Sequence, residues 1–229
     1  MNRLILVFLI CFSACKSTAY FVSPNDVHQE KVTVYLKKGD IITGLININM
    51  ESNSRLHAEV GDFKPTIEIM PEGKTTWQKI NILDIVGYTM GSDYFTIKSI
   101  DLLMDGTSYL LFVKRLTPEN SRIQLYQLDE SGKANDVGEK ITRYYLSFPG
   151  YSPLETLNAK SSQLVPNFDL KMSNWVDDCP NLAKKIRKKE TGYFYGLATF
   201  NAKTTPDVLL RIITEYNSCT LTVSPPQTN

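Results

Sequence analysis

The sequence predicts a mainly β fold with a helical C-terminus, an α+β chain in which a small antiparallel barrel runs on into a β-meander and ends in two helices. Three observations predict it. From Lys31 onward apolar and polar side chains alternate, the period-two pattern of a strand with one buried face. Turn residues then punctuate the chain at short intervals up to Phe148, which favours many short strands over a few long elements. After Pro149-Gly150-Tyr151-Ser152-Pro153 the period changes and apolar residues recur at helical spacing.

The barrel region is residues 31–92. In Lys31-Val32-Thr33-Val34-Tyr35-Leu36-Lys37 the apolar Val32, Val34 and Leu36 share one face. Lys38-Gly39-Asp40 supplies a tight turn, since Gly39 takes a positive φ without steric cost. The return strand, Ile41 to Ile48, holds Gly44 in its middle, which marks a bend, a bulge or a close backbone approach. Further strands are expected at Arg55 to Val60, at Thr66 to Met70, and at Gln78 to Leu83 running on to Ile85-Val86. Short strands this closely spaced favour a barrel, because curling the sheet hides its edges. The run from Lys31 to Leu45 resembles the opening hairpin of Sm-like and related small barrels, and Ile80-Asn81-Ile82-Leu83-Asp84-Ile85-Val86-Gly87-Tyr88 resembles their closing strand. That resemblance implies a shape and no activity.

A β-meander is expected over residues 93–150, either within the same domain or as a second sheet. Tyr109-Leu110-Leu111-Phe112-Val113 is continuously apolar, as in a strand covered on both faces. Arg122 to Leu128 and Ile141 to Phe148 read as a pair joined by the polar loop Asp129 to Lys140, with Tyr126, Tyr144 and Tyr145 suited to cross-strand packing. Residues 151–229 read as a linker and a helical region. Asp178-Cys179-Pro180 opens one helix, with Pro180 in the first turn where its missing N–H costs nothing, and Gly192 is its stop. Thr205-Pro206-Asp207 opens the other, and Val208, Leu209, Ile212, Ile213 and Tyr216 form its apolar stripe.

The first residues are a leader. Met1-Asn2-Arg3 begins it, an apolar run from Leu4 to Phe12 follows, and small Ser13-Ala14 precede Cys15. This reads as a secretory signal over residues 1–14, too short to span a hydrocarbon core that needs about 20 apolar residues. Phe12-Ser13-Ala14-Cys15 resembles a bacterial lipobox, which implies lipidation of Cys15 and a membrane attachment strengthened by each buried methylene. The other reading is cleavage after Ser17-Thr18-Ala19, which releases a soluble periplasmic or secreted protein. The polar residues 15–30 read as a tether, whose length from Lys16 to Glu30 reaches about 50 Å when fully extended. This leader, Lys38-Gly39-Asp40-Ile41-Ile42-Thr43-Gly44, Asp178-Cys179-Pro180 and Tyr216-Asn217-Ser218-Cys219 together resemble envelope lipoproteins of Bacteroidota-type bacteria. The resemblance implies an outer-membrane lipoprotein and carries no activity.

With 229 residues, a formal charge of +1 and 42% hydrophobic residues, the chain has neither the composition of a disordered segment nor a basic excess that would draw nucleic acid. If Cys11 leaves with the leader and Cys15 takes a lipid, Cys179 and Cys219 remain, and export allows a disulfide between them. Antiparallel packing of the two helices would bring them together; two buried free thiols are the other reading.

Chemistry is sparse. His28 falls in the tether and His57 on the polar phase of its strand, so both read as surface residues rather than bases or metal ligands. Asp101 with Asp105, and Asp177 with Asp178, are the carboxylate pairs, read as turn and cap residues. Gly91-Ser92-Asp93 is a turn with no partner base. The run Lys184, Lys185, Arg187, Lys188, Lys189 is either a solvated helix face or a contact for anionic headgroups. Trp77 and Trp175 are core aromatics or sugar platforms. The expectation is a non-enzymatic envelope lipoprotein with no cofactor or metal, no nucleic acid, and an unidentified envelope protein as partner. A ligand- or glycan-binding protein is the alternative, and a carboxylate-dependent hydrolase ranks behind both.

Overall fold

The computed structural model describes residues 24–49, 66–101, 108–131, 140–148, 156–158, 167–196 and 204–219. Cys15, the leader, His57, Asp105 and the strand expected at 55–60 lie outside them. Ten strands form one antiparallel sheet: β1 (Val27–Leu36), β2 (Ile41–Ile48), β3 (Thr66–Pro71), β4 (Gln78–Asn81), β5 (Ile85–Met90), β6 (Asp93–Asp101), β7 (Ser108–Arg115), β8 (Gln124–Ser131), β9 (Lys140–Ser147) and the short edge piece β10 (Thr156–Asn158). Their order is β10-β9-β8-β7-β6-β5-β1-β2-β3-β4. Three helices follow: α1 (Phe168–Trp175), α2 (Pro180–Arg187) and α3 (Thr204–Ser218).

The first hairpin forms as its pattern dictates. Gly39 sits at φ +93° in the turn, where its N–H donates to the Leu36 carbonyl at 3.0 Å. Gly44 serves a close approach: a Cβ there would stand 2.2 Å from the Met70 carbonyl oxygen on β3. Val32, Val34, Ile46, Ile48, Ile67, Ile69, Ile85 and Tyr88 point to one side and pack on each other. No helix contributes to this cluster among the described residues, so the strands cover it by curving over themselves.

The expected closed barrel is not formed. β5 pairs with β1 on one edge and with β6 on the other, so it has no edge left for β4, and the sheet runs on instead of closing. The strand expected to run from Gln78 through Val86 is also interrupted. Ile82–Asp84 form a 3-10 turn, begun by Asn81, whose side chain accepts from the Leu83 N–H at 2.8 Å.

At β8 and β9 the same face is covered by helices. Leu125, Tyr144 and Leu146 of β8 and β9 pack against Phe168, Met172, Leu182, Ile186, Leu209, Ile212 and Ile213. The opposite face carries Ile100, Leu111, Val113, Tyr126, Leu128 and Tyr145 in a cluster of its own. With no described helix on it, it is called the helix-free face below. The two expected helices are present and α1 is an addition. Pro180 occupies the first turn of α2, and Gly192 lies beyond its end at φ +84°.

The part read as a tether does not end at Glu30. β1 begins at Val27, and Asn25 is only 3% exposed. β7 pairs with β6 along its length but with β8 only at Lys114 and Arg115, which leaves Phe112 without a strand on its β8 side. The Asn25 amide takes that place: its Nδ2 donates to the Phe112 carbonyl at 3.0 Å, and the Phe112 N–H donates to its Oδ1 at 2.9 Å. The buried Tyr88 hydroxyl donates to the Pro24 carbonyl at 3.0 Å. The length free to span from Cys15 to Pro24 is therefore at most about 30 Å.

Candidate functional site

Strand register lines up side chains from seven strands across the helix-free face. Thr43 lies opposite Thr33, Thr33 opposite Thr89, and Thr89 opposite Tyr94. Beyond Tyr94 the row continues through Arg115, Tyr126 and Tyr145. Tyr126 and Tyr145 are buried, whereas Thr33, Tyr35, Thr43, Thr89, Tyr94, Thr96, Lys98 and Arg115 are half-buried and open on one side. The result is a polar strip with two cations near one end.

Tyr94 is the fixed point of the strip. A Cβ at Gly87 would lie 2.7 Å from the Tyr94 hydroxyl, so the glycine makes the space into which the ring folds. Tyr35 packs beside it with ring centroids 6.0 Å apart. The Arg115 guanidinium lies 4.4 Å from the Tyr94 ring centre, within the range of a cation–π contact. Lys98 reaches across β7 to place its ammonium 4.8 Å from the Tyr126 ring. Burial, with the neighbouring Arg115 charge adding to it, pushes the Lys98 ammonium below its ordinary value. Burial pushes the Tyr126 phenol up to about 12.

Counter-charge is thin. Arg115 meets Glu119 at 3.5 Å, but Glu119 is 85% exposed, where such pairs contribute little. Among the described residues Lys98 has no carboxylate partner. Among the described side chains, the charged ones that β5 to β9 turn to this face are Lys98, Arg115 and Arg143, all cationic.

No family model, curated protein or solved structure matches the chain.

The residues singled out in the sequence lie elsewhere. Cys179 and Cys219 are joined as a disulfide, with Cα atoms 6.1 Å apart. Beside it Arg122 pairs with Asp178, donates to the Tyr216 hydroxyl at 2.7 Å and lies 3.7 Å from that ring's centre. Burial and a hydrogen bond to Asp178 raise the Tyr216 phenol to about 12. Asp177 lines a shallow cavity of about 390 Å³ on α2 with Pro180, Ala183, Lys184, Arg187 and Lys188. Asp101 ends β6, opposite Ser108. His28 pairs with Asp26 at 2.8 Å.

The basic run is not one uniform face. Lys185 donates to Glu215 at 2.8 and 3.0 Å, Arg187 donates to Ser173 and Asn174 at 3.0 Å each, and Lys189 pairs with Asp169 at 3.4 Å. These three tie helices together, leaving Lys184 and Lys188 to solvent. Trp175 packs on Phe148 with centroids 4.4 Å apart, while Trp77 is part-exposed just before β4. No three His, Cys, Asp or Glu side chains gather as a metal set among the described residues, and no helix there is long and apolar enough to cross a membrane.

The strip was invisible in sequence because its members come from seven strands, each showing only one phase of an ordinary alternation. The one local signal was Gly87, followed at short range by a tyrosine.

Proposed function

We propose that the protein is an exported, envelope-attached binding module that works without catalysis and presents the helix-free face of its sheet to its partner. The observation that carries this reading is the half-exposed Thr–Tyr–Arg–Lys strip, built by register and held by Gly87 beneath Tyr94. The leader and Cys15 supply the attachment in this reading, and a Cys179–Cys219 disulfide suits an oxidising compartment. A protein partner in the envelope is the first form of the reading. A glycan ligand is the second, favoured by the tyrosine–cation pairs. A hydrolytic reading would use Asp101 and Asp177, which stand on separate elements, the end of β6 and the α1–α2 connection.

A photo-crosslinking residue placed at Thr89 or Thr96 of the full-length protein in intact cells tests it, with Glu190 beyond α2 as the comparison site. An adduct from the two sheet positions and none from Glu190 is the expected result, discrete in mass for a protein partner and heterogeneous for a polysaccharide. Adducts from Glu190 alone, or none, would sink it. For attachment, labelled fatty acid should enter the wild-type protein and not Cys15→Ala.

A further inference from the structure

We infer that the cationic end of this strip is a subsite for an acidic saccharide, with a sugar carboxylate seated between Lys98 and Arg115 and sugar hydroxyls against Thr89 and Thr96. The inference rests on the binding-module reading and names the ligand class for its face. Three features of the face select that class.

The first is cationic charge that meets no carboxylate among the described residues. Lys98 is half-buried beside another cation and faces an aromatic ring rather than a carboxylate. Partial burial of a cation without a counter-ion is costly, and an incoming anion would remove that cost. The Tyr126 ring, on the cross-strand neighbour of Arg115, lies 4.8 Å from the Lys98 ammonium, and the Arg115 charge acts on that ammonium, so an anion approaching from the open side would meet both.

The second is the fixed orientation of Arg115. Its guanidinium is held over the Tyr94 ring, which Gly87 and Tyr35 hold in turn. A pre-positioned guanidinium presents a fork of donors that matches a carboxylate in two parallel hydrogen bonds.

The third is what surrounds the cations. Thr89 and Thr96 are half-exposed hydroxyls on adjacent strands, and Thr33 and Thr43 continue the row with hydroxyls 3.3 Å apart. Thr96 already donates to the Val86 carbonyl at 3.1 Å, so toward a ligand it accepts. A row of hydroxyls beside a carboxylate site fits a hydroxyl-rich, carboxylate-bearing chain. It fits an anionic bilayer poorly. Each cation near such a surface contributes only about 1 kcal/mol, and the strip's own aromatic rings lie back against Gly87 and beneath cations instead of projecting.

The experiment is titration of the full mature chain with oligogalacturonate, with its methyl ester as the uncharged counterpart and phosphatidylglycerol vesicles as the lipid arm. Binding of the free acid, none of the ester, and loss of at least about tenfold in affinity in Lys98→Gln or Arg115→Gln are expected, the size that losing one charge-assisted contact implies. Lys98→Gln keeps the first two methylenes of the stem and a polar end and should retain the wild-type melting temperature, so it decides the matter if Arg115→Gln fails to fold. The inference is overturned by no binding of the acid, by equal binding of acid and ester, by affinity unchanged in Lys98→Gln, or by vesicle binding that the same substitution abolishes. Should the acid fail while Thr89 and Thr96 still crosslink in cells, the ligand class falls and the binding-module reading stands.

Discussion

The two ends of the sheet bury the same face by different means. From β1 to β5 the sheet curves over its own apolar residues, and no described helix takes part. At β8 and β9 three helices cover that face, and a disulfide with ion-pair clusters holds them. The difference teaches where a chain needs extra restraint. A curved sheet is held by strand pairing, whereas three helices of 8, 8 and 15 residues are too short to be stable alone and depend on packing and crosslinks. Between the two regions, β7 and β8 share only two residue pairs. The amide of Asn25 fills the gap they leave.

The largest expected effect comes from breaking that junction. Asn25→Leu strands the Phe112 N–H and carbonyl in a buried place, which costs about 3–5 kcal/mol for the two groups. The chain has two tryptophans, Trp77 beside β4 and Trp175 in α1, so each region carries its own fluorescent reporter. In urea the two should unfold together in the wild type and separate in Asn25→Leu. Coincident transitions in the variant would show that the regions are coupled by something other than Asn25.

Next in size is the staple. Cys179→Ser with Cys219→Ser opens a loop spanning a sequence separation of 40 and should cost about 3–4 kcal/mol on the chain-entropy account. In the Asn25→Leu background the loss should appear at Trp175 and leave the Trp77 midpoint in place. An equal shift at both would make the sheet a single cooperative unit.

Much of this architecture was legible in sequence. Val32 and Val34 announced β1 by alternation, Gly44 announced a bend, a bulge or a close approach, of which the last is found, and antiparallel packing of α2 and α3 was the condition that would bring Cys219 to Cys179. What was not legible depended on distant pairing. Closure of the barrel failed because β5 gives its second edge to β6, which no feature of residues 31–92 reveals. α1 was missed because eight residues with only Phe168, Met172 and Ser173 buried show too little periodicity. Asn25 was read as tether because its partner lies 87 positions away, and an asparagine after a proline is ordinarily a turn residue.

A smaller effect is alkaline. Burial raises the phenols of Tyr88 and Tyr195, and raises those of Tyr126 and Tyr216 to about 12. A phenol raised on folding contributes stability in full below its unfolded value near 10 and loses it as pH rises through the folded one. Urea midpoints should therefore hold up to about pH 10 and fall between 10 and 12. Tyr88→Phe should remove part of that fall at Trp77, and Tyr216→Phe part of it at Trp175. A flat profile to pH 12 would contradict the burial of these rings.

The smallest expected effect separates the regions by acid. In Glu215 burial works to raise the carboxyl, but hydrogen bonds from Lys185 and Tyr193 outweigh it and hold the group below its ordinary value of 4.5. Lys185 is raised in turn, chiefly by its hydrogen bond to Glu215, and the Tyr193 hydroxyl donates to Glu215 at 2.5 Å. A carboxyl lowered on folding binds fewer protons in the native state than in the unfolded one. Its contribution is full above pH 4.5 and is lost as pH falls below that through the folded value. Because Glu215 belongs to α3 and both its partners lie in the helical region, the loss should be read by Trp175 and be absent from Trp77 once Asn25→Leu has uncoupled the two. Glu215→Gln should lower the Trp175 midpoint at pH 7 and flatten its acid slope. An unchanged slope would mean that the acid sensitivity of the helical region does not come from Glu215.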